Sequence, residues 1–471
     1  MLRPFASDHI DARTDARTDA ELLADAAARA TRYLEGLDHR SVRPAPEAVA
    51  ALSVLNQPLD RAGIAPSQVL AELDAIGSPA TMAMAGPRFF GFVIGGALPV
   101  SLAANWLAGA WDQNAAYFSS TPGAAAFEEA ALRWTLDLLG LPTTAAGAFV
   151  TGATVANSCA LAAARHAVLE RVGWNVEADG LIGAPNITVI VGNEVHPSVS
   201  KSLGLIGLGR SRVHRVPVDA QGRMRVDQLP PISGPTIICA QAGNVNTGAF
   251  DDIGALCERV RGTHAWVHVD GAFGLWAAAV PSLRPLTNGL ADADSWATDY
   301  HKWLNVPYDS GLAVVRDGRA LEAAMAVTAE YLPTERTQRN PADYTPELSR
   351  RARGVDVWAA LRALGQDGVA AMVERSCAQA RRFAEGLREA GFEILNDVVL
   401  NQVLVSFGDA SMTQRVIAGI QAEGTSWAGI TVWQGRTAMR ISVSSWATTE
   451  ADVERSLDAM VRVATAERAR G

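Results

Sequence analysis

The sequence predicts an open, mostly parallel α/β sheet with helices on both of its faces. From about residue 124, short apolar runs such as ITVIVG, TIICAQAG and AWVHVDGAFG alternate with segments of helical periodicity. Several of these runs end in polar residues beside a glycine, as the carboxyl ends of parallel strands often do. The chain has 471 residues, of which 49% are hydrophobic and 19% charged, so it can bury a large core.

Three regions are predicted along the chain: a helical N-terminal segment over 1–83, a large α/β domain over 84–358 and a small α+β domain over 359–471. Periodic stretches such as ELLADAAARATRYLEGL indicate helices in the first region. The uncharged stretch FFGFVIGGALPVSLAANWLAGA is long enough to cross a bilayer, but Pro99, Asn105 and its glycines favour a buried, pocket-lining segment.

Composition excludes several classes of partner. A formal net charge of -9 gives no overall basic field for nucleic acid or anionic lipid. The four cysteines are widely spaced without a CxxC pair, so we expect core thiols, with no disulfide and no metal site. The N-terminus carries acidic residues where a signal peptide needs an apolar run, which predicts a cytoplasmic protein.

The stretch TDYHKWLNVPYDSG holds an unusual lysine. Arginine supplies nearly all of the 41 basic residues, and only Lys201 and Lys302 are lysine. A lysine, unlike an arginine, can lose its proton when buried and attack a carbonyl to form a Schiff base. Lys302 lies among aromatic and apolar residues, so we interpret it as a reactive residue rather than a surface charge.

Three strand ends could supply partners for this lysine. Asp270 ends the apolar run AWVHVD, and a carboxylate there is costly to bury without a cation. A pyridinium nitrogen is such a cation: at about 4 Å and an effective dielectric of 20 the pair is worth roughly 4 kcal/mol. Gly152, Ala153 and Thr154 form a strand-to-helix turn whose free N–H groups suit a phosphate, and His196 opens another helix. This set matches what pyridoxal 5'-phosphate (PLP) requires.

The sequence resembles the group II PLP-dependent decarboxylases of fold type I, which include aromatic-L-amino-acid, histidine and glutamate decarboxylases. The resemblance runs from about Arg88 to Trp446 and rests on HVDGAFG, DSWATDYHKWLNVPYDSG, YFSSTPGAAAFE and ELSRRARGVDVW. It implies the PLP-dependent transferase (aspartate aminotransferase-like) fold and a lyase of amino-acid metabolism. The implied reaction is α-decarboxylation of an L-amino acid, which releases CO2 and a primary amine.

The resemblance also implies roles for individual residues. Lys302 matches the lysine of the internal aldimine, Asp270 the partner of the pyridine nitrogen, and His196 the imidazole that stacks on the ring. The remaining cofactor contacts implied are Ala153, Thr154 and His301 at the phosphate, Ala272 against the ring, and either Asn246 or Thr247 near the phenolic oxygen or the substrate carboxylate. Asp299 stands where relatives often have a neutral residue, and it is given no contact.

Members of that family carry a mobile loop with a tyrosine that protonates the substrate carbon in the neighbouring subunit's site. Tyr331 matches this catalytic tyrosine, and Tyr344 is the alternative. The resemblance therefore implies a homodimer with a shared active site, clasped by the N-terminal helices.

The substrate is the least determined prediction. The proposed pocket wall comprises Phe89, Phe90, Phe92, Tyr117 and Phe118, which favours an aromatic side chain. Arg88 could instead receive an acidic one, as in a glutamate or aspartate decarboxylase. Aldehyde-forming or carbon–carbon lyase chemistry remains an alternative within fold type I, and a binding scaffold without catalysis is the non-enzyme alternative.

Overall fold

The computed structural model describes residues 17–327 and 338–470. The N-terminal region is helical, with α1 (Asp19–Glu35), α2 (Pro46–Ala51) and α3 (Pro66–Ala80). Thr18 and Glu21 form a capping box that starts α1, and a proline occupies the first turn of α2 and of α3. None of the residues in these three helices is buried.

A seven-stranded sheet forms the centre of the large domain. Its strand order is β1-β7-β6-β5-β4-β2-β3, and β7 alone runs antiparallel to its neighbours. The strands are β1 (Ala146–Val150), β2 (Thr188–Gly192), β3 (Val213–Val216), β4 (Thr236–Gln241), β5 (Ala265–Asp270), β6 (Ser295–Asp299) and β7 (Gly311–Val315). The predicted mostly parallel sheet is confirmed.

Helices cover both faces of this sheet. Consecutive residues of a strand belong to different cores. Ile237 of β4 and Trp266 of β5 pack on one face of the sheet, and Ile238 and Val267 pack on the other. The helices of this region are α4 (Pro99–Trp111), α5 (Pro122–Leu138), α6 (Ala153–Glu170), α7 (Val176–Asp179), α8 (Pro197–Leu205), α9 (Ile253–Val260) and α10 (Gly318–Met325).

The C-terminal region is a four-stranded antiparallel sheet with its own core. The strand order is β10-β11-β9-β8. Its elements are β8 (Glu393–Ile394), β9 (Gln402–Ser406), α12 (Ala410–Glu423), β10 (Gly429–Trp433), β11 (Arg436–Ser442) and α13 (Glu450–Arg470). The long helix α11 (Arg353–Glu389) connects it to the large domain and bends at Gly365, where φ is 61°. The predicted boundary at 358/359 falls within α11 and stays a prediction.

The uncharged stretch predicted to line a pocket contains α4, which is partly exposed. Within the two described ranges, no helix combines the length and apolar character that crossing a bilayer requires.

The end of α6 carries a titratable pair that should make stability depend on pH. His166 Nδ1 lies 2.5 Å from Glu177 Oε2, and this hydrogen bond raises the pKa of His166. Because the pKa of His166 is raised in the folded state, the stabilisation from this pair is complete below the unfolded-state pKa of about 6.5. This stabilisation is lost as pH rises through the folded-state pKa. We expect His166→Gln to lower the urea midpoint at about pH 5.5 and to match the wild type at about pH 9.

His214→Gln is the matched control, because His214 is an exposed histidine on β3. It should leave the midpoint unchanged at both pH values. An equal loss of stability at both pH values in His166→Gln would instead indicate a packing effect.

Candidate active site

Three of the four predicted catalytic residues line one cavity at the carboxyl ends of the central strands. Lys302, Asp270 and His196 face it together with Gln241, Gly243, Val245, Ala272 and Phe273. In an open parallel sheet this edge is where ligands gather, because strand ends and helix N-termini meet there. The fourth predicted residue, Tyr331, lies outside the described residues.

Asp270 is a buried carboxylate held by neutral donors. It is the last residue of β5 and is 5% exposed. Asn157 Nδ2 donates to Oδ2 at 3.2 Å, Ser198 Oγ donates to the same oxygen at 3.3 Å, and the Ala272 backbone N–H donates to Oδ1 at 3.2 Å. No ion pair joins Asp270 to a cation among residues 17–327 and 338–470. A buried carboxylate without a countercharge fits a cationic ligand atom such as a protonated ring nitrogen.

A directed chain of hydrogen bonds lies behind Asp270. Trp266 Nε1 donates to Ser295 Oγ at 2.8 Å, and Ser295 Oγ lies 2.9 Å from His268 Nδ1. His268 Nε2 lies 2.8 Å from Asn157 Oδ1, whose amide nitrogen donates to Asp270. Burial lowers the pKa of His268 to about 4, so its ring is neutral.

One arrangement of protons satisfies every member of this chain. Ser295 donates to Nδ1 of His268, and the Nε2–H of His268 donates to Asn157. The amide group of Asn157 is therefore fixed with its nitrogen toward Asp270. The chain holds the carboxylate in one orientation.

His196 is the N-cap residue of α8, with its ring turned toward the cavity. Its Nδ1 lies 3.2 Å from the Ser198 backbone nitrogen and 2.7 Å from Ser198 Oγ, and these contacts fix the ring at the start of α8. Burial lowers the pKa of His196; Asp270 acts in the opposite direction, and Lys302 and Arg440 lower it further. A neutral, fixed imidazole can lie against an aromatic ring without adding a second positive charge.

The predicted phosphate-contacting residues meet at the start of α6. Ala153 and Thr154 are the first two residues of α6, and His301 follows β6. A Cβ atom at Gly152 would lie only 2.9 Å from His301 Cε1, so a side chain there would fill the turn. Asp299 borders this space. Its Oδ1 accepts from the Ala153 N–H at 2.5 Å and lies 3.4 Å from His301 Nε2. A helix N-terminus with a glycine turn and a neutral imidazole fits a phosphate.

Asn246 and Thr247 lie in the loop after β4, and their side chains bond within the protein. Asn246 Oδ1 accepts from Thr431 Oγ1 at 2.9 Å, which ties this loop to β10. Thr247 Oγ1 donates to the Gln221 carbonyl at 2.7 Å. Neither residue lines the cavity that contains Lys302. Their proposed contact with the cofactor or substrate stays a prediction.

The aromatic residues predicted for the substrate pocket divide into two groups. Phe89 and Phe90 are each 1% exposed; Phe89 stacks on Trp427 and Phe90 meets Phe383 edge to face. Phe92 is 57% exposed and has a left-handed φ of 54°, which presents its ring on the surface. Tyr117 and Phe118 are half-buried. Phe92, Tyr117 and Phe118 are therefore the members of this set that a ligand can reach.

Tyr344, the alternative to Tyr331, lies in a short 3-10 helix over Pro341–Tyr344. Its ring packs beside the core that contains α6, with the Arg339 guanidinium 4.8 Å from the ring centroid. The choice between Tyr331 and Tyr344 as the catalytic tyrosine stays a prediction.

The family of the chain follows from comparison with known proteins. A family model described as the pyridoxal-dependent decarboxylase conserved domain matches residues 62–408. The chain belongs to this family. Membership confirms the predicted family, its fold and PLP as its cofactor, and it supports the predicted class of carboxy-lyase.

Relatives within the family differ in substrate. The chain is 29% identical over 291 residues to an aromatic-L-amino-acid decarboxylase of Bacillus atrophaeus, covering 59% of this chain and 58% of that protein. It is 27% identical to tryptophan decarboxylase 1 of Oryza sativa subsp. japonica over 77% of each chain. It is 29% identical to an L-2,4-diaminobutyrate decarboxylase of Rhizobium meliloti, covering 76% and 74% of the two chains.

Solved structures share the fold over nearly the whole chain. The crystal structure of Oryza sativa TDC with PLP and tryptamine has a TM-score of 0.88 at 22% identity and covers 99% of both chains. That of mouse CSAD has a TM-score of 0.87 at 22% identity and covers 94% of this chain and 98% of the other.

Arg440 is a half-buried arginine near His196 that the sequence did not reveal. It lies on β11, its pKa is lowered by burial, and it is close enough to His196 to affect the pKa of that ring. Within the described part of the chain, no hydrogen bond or ion pair engages its guanidinium. The available signal was a single arginine between the buried residues of AMRISVSS, which a strand pattern alone does not place near His196.

Proposed function

We propose that this chain is a PLP-dependent L-amino-acid α-decarboxylase that releases CO2 and a primary amine and prefers aromatic substrates. The observation that carries the proposal is the shared cavity of Lys302, Asp270 and His196. When bound, PLP supplies an electron sink for the pair of electrons left by the departing carboxylate. The protein has to hold it, orient the substrate and return a proton to the α-carbon.

The residues divide this work by position. Lys302 would hold the cofactor's aldehyde carbon, and Asp270 would keep the ring nitrogen protonated. His196 would lie against the ring beside Ala272, and Ala153, Thr154 and His301 would hold the phosphate. Tyr331 would deliver a proton to the substrate's α-carbon, and its assignment rests on the family resemblance alone.

The direct test is a screen of L-amino acids for amine and CO2 with purified, cofactor-loaded protein. We expect equal amounts of the two products from at least one aromatic amino acid, with no peroxide or ammonia. Peroxide with ammonia would identify aldehyde-forming oxidation. A chain that acquires no absorbance of lysine-bound cofactor when PLP is added would support the binding scaffold.

Acidic substrates are the second candidate, and Arg440 is the observation that favours them. Arg88 is unsuitable, because it is 3% exposed and pairs with Asp452 at 2.9 Å while donating to the carbonyls of Asp38 and Thr425. Arg440 offers a half-buried guanidinium whose pKa is lowered by desolvation. Its ligand would be a substrate carboxylate, either on the α-carbon or on an acidic side chain.

We expect Arg440→Gln to raise KM for the substrate by about tenfold to a hundredfold, because a hydrogen bond to a charged group contributes roughly 1.5–3 kcal/mol. The affinity for the corresponding amine product, which lacks the α-carboxylate, separates the two cases. If the variant binds the amine product as tightly as the wild type does, Arg440 contacts the substrate's α-carboxylate. If affinity for the amine falls as much as affinity for the substrate, Arg440 contacts an acidic side chain of the substrate.

Arg436→Gln is the matched control for Arg440→Gln. Arg436 lies on the same strand and pairs with Glu393 at 49% side-chain exposure. Its replacement should leave KM unchanged. If both variants changed KM equally, the effect would come from the strand and not from the guanidinium in the site.

A homodimer clasped by the N-terminal helices is part of the proposal. Large apolar side chains are exposed along this region, and they continue onto α4: Leu23, Leu34, Val49, Val54, Leu55, Leu59, Ile64, Val69, Leu73, Val100, Trp106 and Leu107. Single exposed apolar residues are ordinary, but a continuous set of this kind marks an interface. Continuity with α4, which begins four residues after Gly95 beside the Lys302 carbonyl, favours a second copy of this chain as the partner.

Charges placed on this surface should separate the subunits. We expect Leu55→Asp with Leu73→Asp to sediment as a monomer at concentrations where the wild type is a dimer. Ile182→Asp is the control, since Ile182 is 95% exposed outside the surface. A wild-type monomer, or a dimer that tolerates both charges, would contradict this interface.

A further inference from the structure

Asp299, the last residue of β6, holds three donors at the proposed phosphate site. Its carboxylate accepts from the Ala153 N–H at 2.5 Å, lies 3.4 Å from His301 Nε2, and forms an ion pair with Lys302 Nζ at 3.0 Å. Asp299 is 2% exposed, so solvent does not weaken these contacts.

The Nε2 atom of the His301 ring faces this carboxylate at 3.4 Å. The Ser310 backbone N–H donates to His301 Nδ1 at 3.1 Å, so the ring proton lies on Nε2, which faces Asp299. Burial lowers the pKa of His301, which keeps the ring neutral. The Ala153 N–H, the His301 Nε2–H and the Lys302 ammonium thus all point at one carboxylate. We call this arrangement the carboxylate latch.

Two of these three donors are the ones proposed to hold the cofactor phosphate. A single N–H has one strong acceptor at a time, and a carboxylate and a phosphate repel each other at contact distance. The phosphate therefore cannot take the Ala153 and His301 donors while Asp299 retains them. Any movement of Asp299 away from Ala153 also changes its distance to Lys302, because one carboxylate makes both contacts.

We infer that the carboxylate latch couples phosphate binding to the release of Lys302. The inference rests on the proposed function. Phosphate displaces Asp299 from Ala153 and His301, the ion pair with Lys302 opens, and the lysine becomes free to turn toward the aldehyde. The Lys302 nitrogen then bonds to the aldehyde carbon, and the carbonyl oxygen leaves as water with two of the ammonium protons. The order of events is phosphate first and covalent attachment second.

The test separates the phosphate from the aldehyde by using pyridoxal, which lacks the phosphate. Full-length protein freed of cofactor is mixed with pyridoxal, and attachment is followed by absorbance and, after borohydride reduction, by the mass of the peptide containing Lys302. We expect inorganic phosphate to accelerate attachment by about fivefold or more, the lower end of coupling between linked sites. Chloride at matched ionic strength should not. With PLP in place of pyridoxal, phosphate should slow attachment, because the two compete for the same donors.

Asp299→Asn removes the ion pair while keeping the size of the side chain. We expect this variant to react with pyridoxal, without phosphate, about as fast as the wild type does with it, and to respond little to added phosphate. Asp309→Asn is the matched control: its carboxylate lies in the same loop but pairs with Arg353 at 2.9 Å, so it should retain the wild-type response.

The outcomes separate this inference from the proposed function. If PLP does not attach to Lys302 in the wild type, the proposed function is wrong. If PLP attaches but phosphate leaves the pyridoxal rate unchanged, the carboxylate latch alone is wrong, whether or not Asp299→Asn folds. An Asp299→Asn variant that folds and keeps the wild-type response to phosphate also overturns it.

Discussion

Lys302→Arg is expected to lower turnover by at least about a thousandfold and to abolish the absorbance of lysine-bound cofactor. The arginine retains a positive charge beside Asp299, so the ion pair that now spans 3.0 Å can persist. What is lost is the capacity of the side chain to give up its proton and bond to an aldehyde carbon. The change therefore removes covalent chemistry while preserving local electrostatics. Absorbance after PLP addition and the initial rate of amine release measure the two effects.

Lys201→Arg is the matched control for this variant. Lys201 is the only other lysine of the chain and lies exposed on α8. Its replacement should leave both absorbance and rate unchanged. Substantial activity in Lys302→Arg, or an equal loss in Lys201→Arg, would refute the assignment of the reactive lysine.

Asp270→Asn is expected to reduce kcat by about a hundredfold to a thousandfold. A carboxylate paired with a ring nitrogen contributes roughly 4 kcal/mol at an effective dielectric of 20, and most of that is lost with the charge. The new amide would also face the amide nitrogen of Asn157, which now donates to Asp270 Oδ2 at 3.2 Å. We expect both kcat and the pH dependence of the bound cofactor's absorbance to differ from those of the wild type.

Asp294→Asn provides the comparison for Asp270→Asn. Asp294 is half-buried just before β6 and accepts from the Val267 backbone N–H at 2.8 Å, away from the cavity. We expect some loss of stability and no change in the absorbance of the bound cofactor. An unaltered kcat and absorbance in Asp270→Asn would show that the carboxylate does not serve the ring nitrogen.

The sequence predicted the sheet well wherever a strand is an uninterrupted apolar run. β2, β4 and β5 are such runs, and their burial on both faces leaves a clear pattern. β6 was not recognised as a strand, because its sequence SWATD is largely polar although every residue is buried. Ser295 is tolerated there because its hydroxyl bonds with Trp266 and His268, and those partners are distant in sequence.

The candidate site was predictable where one residue type is chemically distinctive. Lys302 and Asp270 stood out, since a lysine among aromatic residues and an aspartate at a strand end are each costly without a function. Asn157 and Arg440 did not, because an amide in an alanine-rich helix and an arginine in a strand are ordinary in sequence. Their roles depend on which element faces the cavity, and only the assembled fold determines that. Asp299 was noticed as a departure, but its three donors became visible only in three dimensions.

The segment after Lys302 is bonded to the end of the small domain by Asn305. Its Nδ2 donates to the Ser444 carbonyl at 3.0 Å, and its Oδ1 accepts from the Trp446 N–H at 2.9 Å. Trp446 Nε1 in turn donates to the Ala97 carbonyl at 2.9 Å. Segments that precede and follow the large sheet in sequence, at Ala97 and Trp446, thus support the segment of the reactive lysine. During synthesis, a ribosome-bound chain lacks this support until β11 and Trp446 have emerged, so we expect a cofactor-competent site to form only after that point.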